Sequence, residues 1–156
     1  MLTLETKLGD AIQALASAST VVDVTAIVRV AARALTDADG VTFVLREGDQ
    51  VYYADENAIG PLWKGRRFPM SACVSGWVIA RGTAVAIPDV YADARVPQQA
   101  YRPTFVRSMA MVPVRTGDTI AAIGAYWASR HEATAQELRI LEVLAEASGR
   151  ALARLS

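Results

Sequence analysis

The stretch that decides the architecture lies between residues 74 and 114. It reads Val74-Ser-Gly-Trp-Val-Ile-Ala-Arg-Gly82, then Val85-Ala-Ile-Pro-Asp-Val-Tyr-Ala-Asp-Ala-Arg95, then Ser108-Met-Ala-Met-Val-Pro-Val114. The first piece predicts a two-turn helix. Ser75 is its expected N-cap, because a side-chain oxygen there accepts an otherwise unpaired N–H. Gly82 is its stop, because glycine takes the left-handed conformation that ends helices. The second piece predicts a short strand, 84–87, that turns at Pro88-Asp89. Residues 89–107 hold Pro97 and Pro103 and predict a long connection with one helical turn. A connection of that length inside a compact domain is often functional. The third piece supplies strand 109–114, joined to strand 120–127 as a hairpin through Thr116-Gly117-Asp118.

Outward from this stretch, the N-terminal side carries Leu4, Leu8, Ala11, Leu15 and Ala18 at steps of four and three, the signature of a helix with one apolar stripe. Asp23 is the expected cap of a second helix, with Ile27, Val28, Ala31, Ala34 and Leu35 as its buried face, ended at Asp39-Gly40. Runs 41–46 and 51–54 are rich in β-branched and aromatic residues and flank Glu47-Gly48-Asp49-Gln50, which predicts a hairpin. Residues 57–69 read as a loop. At the C-terminal end, Thr134-Ala-Gln-Glu137 matches a capping box that starts a long final helix. The order predicts one α/β (α+β) domain spanning residues 1–156, with an antiparallel sheet and the terminal helices on one face.

Composition narrows the function. Sixteen basic residues balance sixteen acidic ones, which gives no electrostatic footprint for nucleic acid or an anionic membrane surface. The longest apolar run, 120–128, is well short of the ~20 residues of a spanning helix, and no signal peptide is evident. The single cysteine, Cys73, excludes an internal disulfide and points to a cytoplasmic protein. Of the 156 residues 29 are alanine, so the core relies on close helix packing as well as on bulky side chains.

The words Gly-Trp-Val at Gly76–Val78, Ile-Pro-Asp at Ile87–Asp89 and Val-Pro-Val at Val112–Val114, in this order and spacing, resemble the GAF family of regulatory domains, in the style found in bacterial two-component sensor histidine kinases. The order of elements agrees along nearly the whole chain. The resemblance implies terminal helices on one face of the sheet and a ligand-type pocket on the other, roofed by the long connection. It does not fix the chemistry. Members of the family bind cyclic nucleotides, bilins, haem or small metabolites, some bind nothing known, and a few reduce free methionine sulfoxide. The reductase reaction needs further cysteines to resolve an oxidised intermediate, and Cys73 stands alone. Segment 101–107 has no cysteine where bilin-binding members commonly attach their chromophore. Asn57 is followed by Ala58, which departs from the Asn-Lys pair of the cyclic-nucleotide-binding members. No cofactor is assigned.

The residues themselves offer no catalytic constellation and no metal site. Cys73, near a helix start, is either a nucleophile or a small buried hydrophobe. His131, the only histidine, reads as an exposed loop residue. Asp89 is expected to close an Asx turn and Asp93 to pair with Arg95. The expected ligand-binding set is Trp63, Trp77, Tyr91, Tyr101, Arg102, Phe105, Met109 and Met111, with any ligand held against the 109–114 and 120–127 strands beneath 89–107.

The final helix carries two stripes, one of them Leu138, Leu141, Ala145, Ser148, Leu152 and Leu155, the other Ile140, Leu144, Ala147 and Ala151. One core needs one stripe, so the pair predicts a homodimer interface at Leu4, Leu8, Leu138, Leu141, Ala145, Leu152 and Leu155. The function expected is a sensor that binds a small molecule and relays it through the terminal helices to an attached output domain such as a histidine kinase. The alternative is a ligand-free dimerisation module, and neither is an enzyme.

Overall fold

The computed structural model describes residues 3–156. Helix α1 (Leu4–Ala16) is capped by the Thr3 hydroxyl, which accepts from the Thr6 N–H. Helix α2 (Val21–Thr36) begins in a capping box in which Thr20 and Asp23 exchange side-chain-to-backbone hydrogen bonds. Thr20 is therefore the cap and Asp23 the third helical residue, a correction of the sequence expectation. Its buried face is Val24, Thr25, Val28, Ala32 and Thr36; Ile27, Ala31 and Leu35 are only half-buried and Ala34 is exposed. Fixing the start at Thr20 fixes which positions face inward.

Strands β1 (Gly40–Glu47) and β2 (Gln50–Ala58) form the expected hairpin, with Gly48 at φ 65° in its two-residue turn. Part of the expected loop 57–69 is strand: β2 runs to Ala58, and β3 (Arg67–Pro69) pairs with residues 50–52. A 3₁₀ turn leads into α3 (Val74–Arg81), then come β4 (Val85–Ile87), a second 3₁₀ turn, and the short helix α4 (Gln98–Tyr101). Strands β5 (Ser108–Thr116) and β6 (Asp118–Trp127) form the second hairpin, and α5 (Ala135–Leu155) starts in the expected Thr134/Glu137 capping box. The strands make one antiparallel sheet in the order β3-β2-β1-β6-β5-β4.

Alternation along the central strands divides the interior in two. Val41, Phe43, Ala110, Val112, Ile123 and Ala125 face α1, α2 and α5. Val44, Met109, Met111, Ala122 and Tyr126 face α3 and the long connection. With both faces covered, β5 and β6 read in sequence as continuous apolar runs. One irregularity aims a functional side chain. Phe43 pairs with Asp55 and Val44 with Tyr53, so Ala54 is an extra residue on β2. That bulge reverses the alternation. Tyr53 faces the connection, whereas Asp55 faces α2, where it meets Thr25 at 3.3 Å and Arg29 at 3.1 Å. Glu56 is thereby turned back to the connection side.

Both stripes of α5 are consumed inside this chain, against β5 on one side and α1 and α2 on the other. Leu141, Ala145 and Leu152 are buried in that core and are not available to a second copy, which corrects their place in the expected dimer interface. Leu4, Leu8, Leu138 and Leu155 are half-buried at its margin. The approach of α5 to the sheet is set by Gly149, where an added Cβ would collide with the Arg115 carbonyl.

Candidate functional site

The face opposite the long helices carries an aromatic chamber. Its floor is Met109, Met111 and Tyr126 of the sheet, its wall is α3, and its roof is α4 with the loop between β2 and β3. Glu56, aimed by the bulge, accepts the backbone N–H groups of Leu62, Trp63 and Lys64 at 2.8–3.0 Å and so shapes that loop. The loop drives Trp63 inward until it is 2% exposed. The Trp63 ring lies 4.7 Å from Tyr101, 5.4 Å from Tyr53 and 5.6 Å from Tyr126, centroid to centroid. Its Nε1–H donates to the Ala100 carbonyl at 3.0 Å, tying the β2–β3 loop to the roof.

Every polar atom in this apolar space has a partner. Tyr126 and Thr42 share a hydrogen bond at 2.9 Å across Gly124, Tyr101 O–H donates to Met109 Sδ at 3.4 Å, and Tyr53 and Ser75 hydroxyls meet at 3.0 Å. Burial pushes all three phenols above their ordinary range, so they remain neutral hydrogen-bonding groups. The free volume left among Tyr53, Trp63, Phe68 and Tyr101 is about 10 Å³. That is room for about one water. The chamber is filled by its own aromatic side chains.

Cys73, not Ser75, caps α3: its Sγ accepts the Gly76 N–H at 3.4 Å and lies 3.3 Å from Ser75 Oγ. Ser75 is buried inside the first turn and turns its hydroxyl to Tyr53 instead. Cys73 is 8% exposed.

The roof is clipped at its two ends by one carboxylate. Asp89 accepts from the Tyr91 N–H as the expected Asx turn requires, and also binds Arg107 at 3.1 Å and Arg130 at 2.9 Å. The Arg107 hydrogen bond outweighs partial burial, and with the Tyr91 N–H and Arg130 it holds the Asp89 carboxyl below the ordinary range. Asp93 and Arg95 pair at 2.6 Å.

Of the expected ligand set, Trp63, Tyr101, Met109 and Met111 meet in the chamber, and Phe105 packs half-buried at its edge. Trp77 is half-buried on the outer face of α3, Tyr91 is 46% exposed and covered by Arg107, and Arg102 is exposed. Tyr91 and Arg102 lie outside the chamber, because the connection turns their side chains outward, and Trp77 packs against the chamber's margin from the outer face of α3. Sequence reasoning missed Tyr53, Phe68, Tyr126 and Glu56. Tyr53 and Tyr126 were signalled by their strand positions; Glu56 depends on the bulge, which no local pattern marks. His131 is not an exposed loop residue either: its ring lies 4.5 Å from Trp127 and its Nε2 is 2.7 Å from Glu137. Among the described residues, no cluster of three or more His, Cys, Asp or Glu side chains could hold a metal ion. No described helix is long and apolar enough to cross a membrane.

A six-stranded antiparallel sheet with long helices on one face and a roofed chamber on the other defines a mixed α/β domain with both faces of the sheet covered. Residues 18–153 match the family model of the GAF domain, and the chain belongs to that family. The fold is shared with the GAF domain of a phosphoenolpyruvate-protein phosphotransferase from Acinetobacter (TM-score 0.83, 14% identity, covering 99% of this chain and 96% of that one). It is shared as well with a phycoerythrobilin-bound GAF domain of a cyanobacterial phytochrome (TM-score 0.81, 16% identity, 99% and 96% covered). A free methionine-R-sulfoxide reductase from Neisseria meningitidis, solved with its substrate, also superimposes (TM-score 0.79, 21% identity, 97% and 90% covered). The fold thus accommodates an enzyme as well as binding domains. No curated protein matches the chain.

Proposed function

We propose that this GAF domain is a sensor in which a small, largely apolar molecule enters the aromatic chamber and the resulting movement of the roof is passed to an attached output domain. The observation that carries the reading is the way the chamber closes. Two separate segments, the β2–β3 loop and α4, meet over it through the single Trp63–Ala100 hydrogen bond and the Trp63–Tyr101 contact. A ligand that displaces Trp63 releases both segments together. The roof runs directly into β5, which packs against α5, so the helical layer is the natural outlet. A two-component histidine kinase is the output domain we favour, in a cytoplasmic protein that dimerises through its helices.

The second reading, a ligand-free dimerisation module, draws its support from the filled chamber. A native-mass measurement of purified protein separates the two. A bound small molecule, lost on Trp63→Ala or on acid denaturation, supports the sensor. Bare protein, with no change in Trp63 fluorescence across a metabolite library, defeats it.

A reductase reading is the least favoured. Cys73 is the only thiol, it is buried, and it spends its sulfur on the α3 cap. Turnover of free methionine sulfoxide that vanishes in Cys73→Ser would restore it.

A further inference from the structure

Among the open grooves of the described surface that are large enough for a small ligand, the two widest differ in charge. The larger, about 850 Å³, runs between α5 and the β4–β5 side of the sheet. There Arg115 and Arg150 are matched by Glu142 and Glu146, with Glu146 and Arg150 already paired at 3.0 Å. The other, about 480 Å³, follows the outer face of α3. Arg81, Arg95 and Trp77 line it with Ser71 and the apolar Met70 and Ala80, and no acidic side chain contributes to its wall.

The arginines of this second groove are arranged on one ring. The guanidinium carbon of Arg81 lies 5.0 Å, and that of Arg95 4.7 Å, from the Trp77 centroid, so the two cations are within about 10 Å of each other. Arg95 is neutralised by Asp93, which binds its Nε and Nη2 and holds the guanidinium in place against the indole. Arg81 has no carboxylate partner among the described residues. Its cation suits the last turn of α3, where the helix dipole favours positive charge, and its side chain is exposed, with five N–H donors open to solvent or to a ligand. The groove thus carries one net positive charge, the uncommitted N–H donors of Arg81, the hydroxyl of Ser71, and apolar walls on an aromatic base.

We propose that this groove is a second binding site, separate from the aromatic chamber, for a small organic anion. Its carboxylate or phosphate head is held by the N–H donors of Arg81, and its apolar body lies against Trp77, Met70 and Ala80. An oxyanion supplies the charge that Arg81 lacks, and planar guanidinium groups bind carboxylate and phosphate through paired, charge-assisted hydrogen bonds. The apolar body distinguishes the site from simple salt attraction, which inorganic ions would satisfy equally. Cys73 lines both this groove and the chamber, so the two sites share a wall.

The test is an NMR titration of the ¹⁵N-labelled chain, with the Trp77 indole signal assigned through Trp77→Phe. The probes are phenyl phosphate and benzoate, against sodium chloride at matched ionic strength. The expected result is a saturable shift of the Trp77 indole with at least one probe. Arg81→Gln should weaken that probe roughly tenfold, the cost of losing one charge-assisted contact. Arg102→Gln, an exposed arginine away from the groove, should leave it unchanged. Which probe binds tighter identifies phosphate or carboxylate as the preferred head. Non-saturating shifts, or equal weakening by Arg81→Gln and Arg102→Gln, would overturn the site. So would saturation at the Trp63 indole with Trp77 unmoved, a result that leaves the chamber reading standing.

Discussion

Gly124 lies at the centre of the chamber floor, where its missing side chain makes a hydrogen bond possible. A Cβ added there would stand 2.6 Å from Tyr126 Oη, 2.8 Å from Met111 Cε and 2.9 Å from Thr42 Oγ1. Gly124→Ala is therefore expected to separate Tyr126 from Thr42 and lower stability by about 1–3 kcal/mol, the usual cost of overpacking, measurable by urea unfolding. Asp89 offers a pH-dependent counterpart. Its folded pKa is depressed, so the stability it contributes is present above the ordinary carboxyl range and is lost as pH falls through and below it. The hydrogen-exchange protection of the amides in 90–107, taken relative to their intrinsic rates, should fall below about pH 4, and Asp89→Asn should show the lower protection already at neutral pH with that acid limb gone. Single residues were the hardest scale to read from sequence. A hydroxyl was expected to cap α3, because serine is the usual choice, yet the Cys73 thiol holds that place and Ser75 serves Tyr53. Both residue types can accept the same N–H, and only the chain's path decides between them.

At the scale of elements the sequence was more informative, because periodicity and caps are local. The terminal helices, both hairpins and the Thr134 capping box stand close to where the apolar spacing and turn residues predicted them. Strand β3 was invisible for the opposite reason. Arg67-Phe68-Pro69 is too short to show alternation, and its strand character comes from pairing with β2. The bulge at Ala54 was equally hidden, and it matters more, since it sends Asp55 to α2 and Glu56 to the chamber. Asp55 is 5% exposed and is held by Arg29, Lys64 and Thr25. Burial opposes its charge, but the hydrogen bonds from Lys64 and the Glu56 N–H, with Arg29, prevail and lower its pKa. Asp55→Ala should cost about 2 kcal/mol. That lies below the ~3–5 kcal/mol of a fully buried pair because Arg29 and Lys64 reach solvent. Thermal unfolding of this variant beside Ala54→Gly, which keeps the carboxylate, would separate the charge network from the bulge.

For the whole molecule, the layer arrangement was legible and the exposure of its outer surface was not. Two apolar stripes on one helix read as one core and one partner, but a sheet below and two helices beside α5 use both stripes within a single chain. This changes how a dimer must be tested. Leu141 and Leu152 lie in the core, so a glutamate at either is expected to unfold the domain and to say nothing about association. The positions left for a two-fold helical contact are Leu4, Leu8, Leu138 and Leu155, half-buried at the margin of the helical layer. Isologous packing would bring each beside its counterpart on a second copy and cover apolar surface that one chain leaves wet. The expected outcome is that wild type sediments as a dimer at micromolar concentration. Leu8→Glu should sediment as a folded monomer with unchanged circular dichroism, while Leu141→Glu loses its structure. A folded wild-type monomer at high micromolar concentration would remove the helical dimer, and a signal leaving through α5 would then have to act within one chain.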